Sequence, residues 1–416
     1  MSEKLYEHKT NCMSCKSSDL VMFLSMGVMP EAGSYPKKED LVNEKKFPLD
    51  IYFCKNCKLV QLLDIINPEH MYKDYRYASS TTKTLSKHFE EYANTVFKRF
   101  NLNKNSLVID IGSNDGVLLV PFMKLGVRAI GFEPAENISK IAISRGTNTI
   151  NKFFNESSAK ELAKKEGKAK VITINNTLAS IYDTDDVMKG VKAILDKDGI
   201  LIIEVHYLLD LIKDLQFDQF YHQHMYYYAI TPMKYYFNRH GMEVFDVTRM
   251  PTHGGSIRVF VQFKGGPNKV IPIVEELISL ENKAGLDSIE GFKKFADKVL
   301  KLKGDLVFTL KKLKAEGKKI AGYGAPGKGN TLLNFCKVGP DLLDYVIDAS
   351  PERYNRYIPG MHIPIYPPDK FKEDPPDYAL MLAFTYKEEI LKKEGDYLKN
   401  GGKFIIPLPK VEIIPN

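Results

Sequence analysis

The sequence predicts an α/β fold in three parts: a small N-terminal zinc-binding domain, a central Rossmann-like domain and a smaller C-terminal Rossmann-like domain. Three observations predict it. Two CxxC pairs, Cys12/Cys15 and Cys54/Cys57, fall close to the N-terminus. From Ser106 onward strand-like and helix-like stretches alternate, which implies a parallel sheet covered by helices on both faces. After Lys319 the alternation starts again. The parts are expected at residues 1–80, 81–300 and 301–416.

The first part carries short alternating segments, Ile51-Tyr52-Phe53 and Leu59-Val60-Gln61-Leu62, that suit half-buried strands. A helix follows over 81–100, with Leu85, Phe89, Tyr92, Val96 and Phe100 at spacings of three or four. In the second part the strand candidates are Leu107–Ile111, Arg128–Phe132, Val171–Ile174 and Ile200–Val205. Glu243–Thr248 and Ile257–Phe263 are separated by a short turn holding Pro251-Thr252-His253-Gly254-Gly255. So short a connection can join only antiparallel strands. A parallel sheet ending in one antiparallel hairpin is the seven-strand pattern of S-adenosylmethionine methyltransferases. Residues 271–316 read as helix broken near Gly285, with Asp287-Ser288-Ile289-Glu290 as a capping box and Gly317 as the stop. Ile320–Tyr323, Tyr345–Ile347, Tyr378–Phe384 and Phe404–Ile406 supply the strands of the third part.

Composition narrows the function classes. The formal net charge of +7 over 416 residues is modest and spread along the chain. Acidic small substrates account for it as readily as nucleic acid does. No run of about 18 uncharged apolar residues exists, so no membrane span is expected. MSEKLYEHKT lacks the apolar core of a signal peptide, so a cytoplasmic location is expected.

Four motifs carry chemistry. In the first, Cys12, Cys15, Cys54 and Cys57 form two knuckles whose thiolates complete a tetrahedral site, a structural Zn2+ with no open position. Cys336, in an apolar helix, reads as a buried free thiol. The second is Val108-Ile109-Asp110-Ile111-Gly112-Ser113-Asn114-Asp115-Gly116, a strand entering a glycine turn. Gly112 and Gly116 allow close backbone approach to a ligand, with Asp110 and Asn114 beside them. Glu133, about 20 residues on at the end of the next strand, suits both ribose hydroxyls of an adenosine. Asn176 follows another strand, where such folds contact the cofactor. Turn, acid and hairpin together favour S-adenosylmethionine over a dinucleotide.

The third motif, Tyr221-His222-Gln223-His224 with Met225-Tyr226-Tyr227-Tyr228, clusters imidazoles and phenols beyond a central strand. Such a cluster supplies a base near neutral pH and hydroxyls for a carbonyl oxygen. In the fourth, Tyr323-Gly324-Ala325-Pro326-Gly327-Lys328-Gly329-Asn330, a strand feeds a glycine loop and a helix. Backbone N–H groups and Lys328 suit a pyrophosphate, though the spacing is not that of an ATPase loop.

With these motifs in this order, the chain resembles the sugar C-methyltransferases that build branched deoxysugars, as in tetronitrose and mycarose biosynthesis. The resemblance runs over nearly the full length. It also rests on Tyr75-Arg76-Tyr77-Ala78-Ser79-Ser80 and His253-Gly254-Gly255-Ser256-Ile257-Arg258. It implies C-methylation of a nucleotide-linked 4-keto deoxysugar through an enolate, with His224 as base and Tyr75 and Tyr221 near the sugar. His222 is the second candidate base. Tyr77, His253, Arg258, Tyr323 and Lys328 are expected at the substrate. Where relatives read Tyr-His-Glu-His, this chain carries Gln223, which cannot ionise but can orient His224 or bond the substrate. The implied partner is a nucleotide sugar, not nucleic acid or membrane, and the expected state is a monomer or small homo-oligomer. The competing readings are an RNA methyltransferase with a zinc ribbon, and a relative with altered or lost catalysis. Against the first, Asn175-Asn176-Thr177-Leu178 lacks the Asn-Pro-Pro-Tyr signature for base amino groups.

Overall fold

The computed structural model describes residues 5–67, 71 and 83–415. Tyr75 and Tyr77 lie outside the described residues. The chain opens with strands β1 (Tyr6–His8), β2 (Leu20–Met29), β3 (Phe47–Cys54), β4 (Val60–Leu62) and β5 (Asp64–Ile66). In β3 the alternation Phe47, Leu49, Ile51, Phe53 faces inward, while the residues between them are half-buried. That period of two is what one covered sheet face demands. β2, β3 and β4 pair antiparallel, and β1 pairs with β5. The fourth strand of the N-terminal sheet comes from far along the chain: Tyr226–Tyr227 pairs antiparallel with Gln61 and Val60 of β4.

Next comes the helix Lys83–Arg99, which buries Phe89, Tyr92 and Val96. The central sheet is built from β6 (Leu107–Ile111), β7 (Arg128–Phe132), β8 (Asn148–Ile150), β9 (Ala169–Asn175) and β10 (Leu195–His206). The two-residue strand Tyr226–Tyr227 is β11 in chain order, and β12 (Met242–Met250) and β13 (Ser256–Phe263) follow. The seven-stranded order is β12-β13-β10-β9-β6-β7-β8, parallel from β10 to β8, with β12 and β13 as the antiparallel hairpin. All five residues of β6 are buried, as helices on both faces require. β8 is new relative to the sequence reading. It is a short edge strand without a buried residue.

The expected helical break is present: Ile273–Lys283 and Ile289–Ala315 flank Gly285. The expected capping box is only half made. Ser288 accepts from the N–H of Gly291, but that third position has no side chain to return the bond. The C-terminal sheet takes β14 (Ile320–Tyr323), β15 (Tyr345–Ile347), β16 (Ile365–Tyr366), β17 (Tyr378–Met381), β18 (Lys403–Ile406) and β19 (Glu412–Ile414). Its order is β16-β15-β14-β17-β18-β19. The strand expected to reach Phe384 stops at Met381, and Phe384–Tyr386 turns into a short 3-10 helix.

The first and last parts also touch. Asn330 Nδ2 donates to the Ala32 carbonyl at 2.7 Å, and the Tyr35 hydroxyl donates to the Ala325 carbonyl at 2.5 Å. Among the described residues no helix is long and apolar enough to cross a membrane.

Candidate functional site

The four cysteines converge. Their sulfurs all lie within 4.8 Å of one another, with Cys12–Cys57 at 3.6 Å and Cys15–Cys54 at 3.5 Å. A tetrahedral zinc with Zn–S bonds of about 2.3 Å sets sulfur–sulfur edges of ~3.8 Å, so the cage has the right size. Gln61 Nε2 donates to Cys12 Sγ at 3.1 Å, a bond that orients a ligand thiolate. The chain holds zinc here. Cys54 ends β3, and β4 carries β11, so the metal braces the segment that leads out of His224.

At the carboxyl end of β6 the backbone turns at Gly112 with φ 72°, where an added Cβ would lie 2.4 Å from Thr177 Oγ1. A glycine is required there so that the loops after β6 and β9 can meet. Glu133 ends the next strand. Its two oxygens accept the N–H groups of Asn114 at 3.0 Å and Ala135 at 2.8 Å. Burial pushes its carboxyl up, while the two amides oppose that shift. Each oxygen keeps a further lone pair for a hydroxyl. Asp110 sits beneath, accepting from Thr173 Oγ1 at 2.6 Å and Asn175 Nδ2 at 3.3 Å, and burial raises it to about 7. It holds Asn175 in place across the β6–β9 pair. The side-chain carbonyls of Asn175 and Asn176 are buried and accept no hydrogen bond among the described residues. Unused buried acceptors cost free energy unless a ligand brings donors. S-adenosylmethionine carries such donors: an ammonium, an exocyclic amine and ribose hydroxyls.

A histidine basin lies at the end of β10. Ring centroids of His206 and His224 are 5.2 Å apart, and those of His206 and His253 are also 5.2 Å apart. Burial drives all three down: His224 to about 3, His253 to about 4 and His206 well below its ordinary value. They are therefore neutral imidazoles at physiological pH. Tyr221 packs on His224 with its hydroxyl 3.0 Å from Nε2. A small cavity lined by His206, His224 and Tyr226–Tyr228 opens between these elements.

The hairpin turn is pinned to bring His253 in. Gln216 Nε2 donates to the Gly254 carbonyl at 2.8 Å, and Gln219 Nε2 to the His253 carbonyl at 3.2 Å. A Cβ at Gly255, φ 120°, would meet Asp210 Oδ2 at 2.5 Å, which explains the paired glycines. From the C-terminal part, the Lys328 charge acts on both His206 and His253.

Four expected site residues make their contacts elsewhere. Arg258 is 5% exposed, with Nε and Nη2 at 3.0 and 2.7 Å from Glu204 Oε2 and its guanidinium 3.6 Å from the Tyr92 ring centroid. Its β13 position lies directly opposite Glu204 of β10, so sheet register makes the pair. Tyr323 points into the C-terminal core between Phe371 and Phe404, its hydroxyl donating to Glu394 at 2.6 Å. The alternation of β14 puts it on the face away from the basin. His222 is 2% exposed and meets the Pro48 carbonyl at 3.2 Å from Nε2, packed on Phe47. Gln223 Nε2 donates to Glu31 at 2.9 Å. His222 and Gln223 thus secure the segment to the N-terminal part while His224 faces the basin. His206, absent from the sequence reading, stands at the carboxyl end of an identified strand, where α/β folds gather ligands.

Three family models match the chain: "Putative zinc binding domain" over residues 12–72, "Methyltransferase domain" over 84–247 and "C-methyltransferase C-terminal domain" over 251–409. The C-methyltransferase NovU of Streptomyces niveus is 34% identical over 404 residues, covering 97% of this chain and 96% of that protein. Among solved structures, magnesium protoporphyrin IX methyltransferase ChlM of Synechocystis PCC 6803 aligns with 47% of this chain and 91% of its own, at 13% identity and a TM-score of 0.34. An S-adenosylmethionine-dependent methyltransferase of Clostridium acetobutylicum aligns with 44% and 92%, at 14% identity and a TM-score of 0.35.

Proposed function

Since the chain belongs to the C-methyltransferase family, whose members are S-adenosylmethionine-dependent enzymes, we propose that it methylates a nucleotide-linked 4-keto deoxysugar at the carbon beside the ketone. The observation that carries this reading is the pairing of His224 and Tyr221 inside a basin of neutral imidazoles. When bound, S-adenosylmethionine supplies an electrophilic methyl group on a sulfonium. A sugar carbon becomes nucleophilic only where a neighbouring carbonyl acidifies its C–H, so the partner chemistry is an enolate.

His224 takes that proton. Burial holds its imidazole neutral, pushed down to about 3, which keeps the ring available but makes it a weak base on its own. Proton transfer creates imidazolium and enolate together, and an ion pair is far less penalised by burial than a lone cation. The Tyr221 hydroxyl fixes the plane of the ring. Lys328, on the glycine loop of the C-terminal part and with its charge acting on His206, offers an ammonium to the substrate's oxyanion. Glu133, Asn114 and Asn176 line the cofactor end, and the tyrosines at 75 and 77 enter on their motif alone. Gln223 is not required as a base, so its replacing a carboxylate leaves this route open. A reducing cytoplasm suits both the thiolate cage and a nucleotide-sugar substrate.

The test is direct methyl transfer. Purified protein with labelled S-adenosylmethionine and a panel of nucleotide-linked 4-keto deoxysugars should put label on carbon in at least one sugar. No transfer to any member, with label reaching RNA instead, would overturn the reading.

A further inference from the structure

His206 takes no part in the proton transfer assigned to His224, yet it holds the middle of the basin. It is the last residue of β10, paired with Ser256 of β13 across the sheet. Its ring centroid lies 5.2 Å from that of His224 and 5.2 Å from that of His253. The backbone beside it is tied down. Tyr207 donates its N–H to the Gly255 carbonyl at 3.0 Å and its hydroxyl to Glu281 at 2.8 Å. The strand, not a loop, therefore sets where the ring stands.

The protein leaves the ring nitrogens open. Among the described residues, the one hydrogen bond to a ring nitrogen of these three histidines joins His224 Nε2 to the Tyr221 hydroxyl. His206 and His224 line the same cavity, and His253 is not one of its walls. Half-buried polar atoms without partners are what a polar ligand satisfies on binding.

The enolate step decides which role is left for His206. The C–H bond beside the ketone breaks and its proton goes to His224. Its electron pair becomes the C=C bond, and the carbonyl oxygen takes the negative charge. A second imidazolium 5.2 Å from the first would be repelled by it. His206 thus stays neutral through the step, as burial already favours. A neutral imidazole carries one N–H and one lone pair, and only the N–H suits a developing oxyanion.

We propose that His206 is a catalytic residue whose ring N–H donates a hydrogen bond to the substrate's ketone oxygen as His224 takes the proton from the adjacent carbon. Base and donor then serve two neighbouring substrate atoms from one cavity. The donor adds direction to the charge that Lys328 brings. Held by the strand, it needs no reorganisation during the step. The assignment rests on the keto-sugar reading.

Two variants separate hydrogen bonding from packing: His206→Leu removes the donor, and His206→Gln keeps an N–H. The readout is exchange at the carbon beside the ketone, in heavy water with the keto-sugar nucleotide and S-adenosylhomocysteine bound. In His206→Leu it should fall by about 10²–10³-fold, the usual cost of one oxyanion donor, while calorimetry shows nucleotide-sugar affinity near wild type. His206→Gln should recover part of that rate. Full exchange in His206→Leu overturns the proposal, and so does an equal loss in both variants, which marks packing. A second measurement uses wild-type protein, so it holds even if the leucine variant folds poorly. The nitrogen-15 resonance of the His206 ring N–H, assigned by its loss in His206→Gln, should shift when the keto-sugar nucleotide binds. An unmoved resonance counts against the proposal. Wild-type protein that exchanges no proton on any keto sugar defeats the keto-sugar reading and this assignment together. Wild-type exchange that survives in His206→Leu removes His206 alone.

Discussion

The hydroxyl of Tyr221 lies 3.0 Å from Nε2 of His224, with the two rings tilted against each other. That contact fixes the imidazole plane, and either tautomer of the neutral ring leaves one nitrogen free of a proton. The same segment continues directly into β11, which is hydrogen-bonded to β4. The position of His224 is therefore set by a sheet whose neighbouring strand ends in a zinc cysteine.

Metal removal should consequently act at a distance. Freshly purified protein should carry about one zinc per chain by elemental analysis. Cys12→Ser should lose that zinc, melt at lower temperature and lose methyl transfer, although Cys12 touches no substrate. A zinc-free variant with full stability and activity would separate the cage from both.

Glu133 has a different expected signature. Its carboxylate already spans the amides of Asn114 and Ala135 at the cofactor end. Glu133→Ala should weaken S-adenosylmethionine binding in calorimetry while leaving sugar-nucleotide binding nearly unchanged. Equal weakening of both ligands would mean that the turn has collapsed, and unchanged cofactor affinity would remove Glu133 from the site.

The buried ion pair should outweigh an exposed one. Arg258→Met takes two N–H donors and a charge from the fully buried Glu204 and leaves it His88 Nε2 at 2.7 Å, a loss of up to about 3–5 kcal/mol. Arg249→Met breaks a pair whose arginine side chain is 47% exposed, worth ~0–1 kcal/mol. Denaturant unfolding of both variants tests the ordering, and equal losses would contradict it.

Stability should fall in acid for a reason visible in the basin. His206, His222, His224 and His253 are all lowered by burial in the folded chain. The unfolded chain binds protons on them near pH ~6.5, where a free imidazole titrates, so it holds more protons than the native state below that pH. Stability from these groups is thus fully present above about pH 6.5 and declines toward the folded values near 3 to 4. Calorimetry at pH 5 in buffers of different ionisation enthalpy should show less proton uptake on unfolding in His222→Asn than in wild type, since Asp110 and Asp218, raised to about 7 in the folded chain, contribute an opposing release to both. Equal proton uptake in the two would contradict the assignment.

The sequence made some of this plain and hid the rest for physical reasons. Two CxxC pairs and the Gly112 turn are local signals, because spacing alone decides whether a knuckle or a tight turn can form. The strands Leu107–Ile111 and Arg128–Phe132 were legible since buried parallel strands are continuous apolar runs. β8 was not, being three residues with none buried. The pairing of β11 with β4 and of Glu204 with Arg258 depends on register between distant segments. No periodicity along the chain encodes such register. For the same reason Arg258 and Tyr323 read as substrate contacts in their motifs and turned out to face Glu204 and Glu394. His206 carried a usable sign, its place at the end of a recognised strand, but lacked the clustering that drew attention to 221–228.

The central claim is that His224 removes a proton from the carbon beside a ketone. Exchange at that carbon, followed by NMR in heavy water with the keto-sugar nucleotide and S-adenosylhomocysteine bound, isolates the step from methyl transfer. Wild-type protein should catalyse the exchange. His224→Asn should bind both ligands and lose exchange and methylation alike by about 10²–10⁴-fold, the usual cost of a general base. His222→Asn, altered at a residue held against the Pro48 carbonyl, should keep exchange near the wild-type rate. Wild-type exchange in His224→Asn together with its loss in His222→Asn would contradict the assignment and move the base to the other histidine.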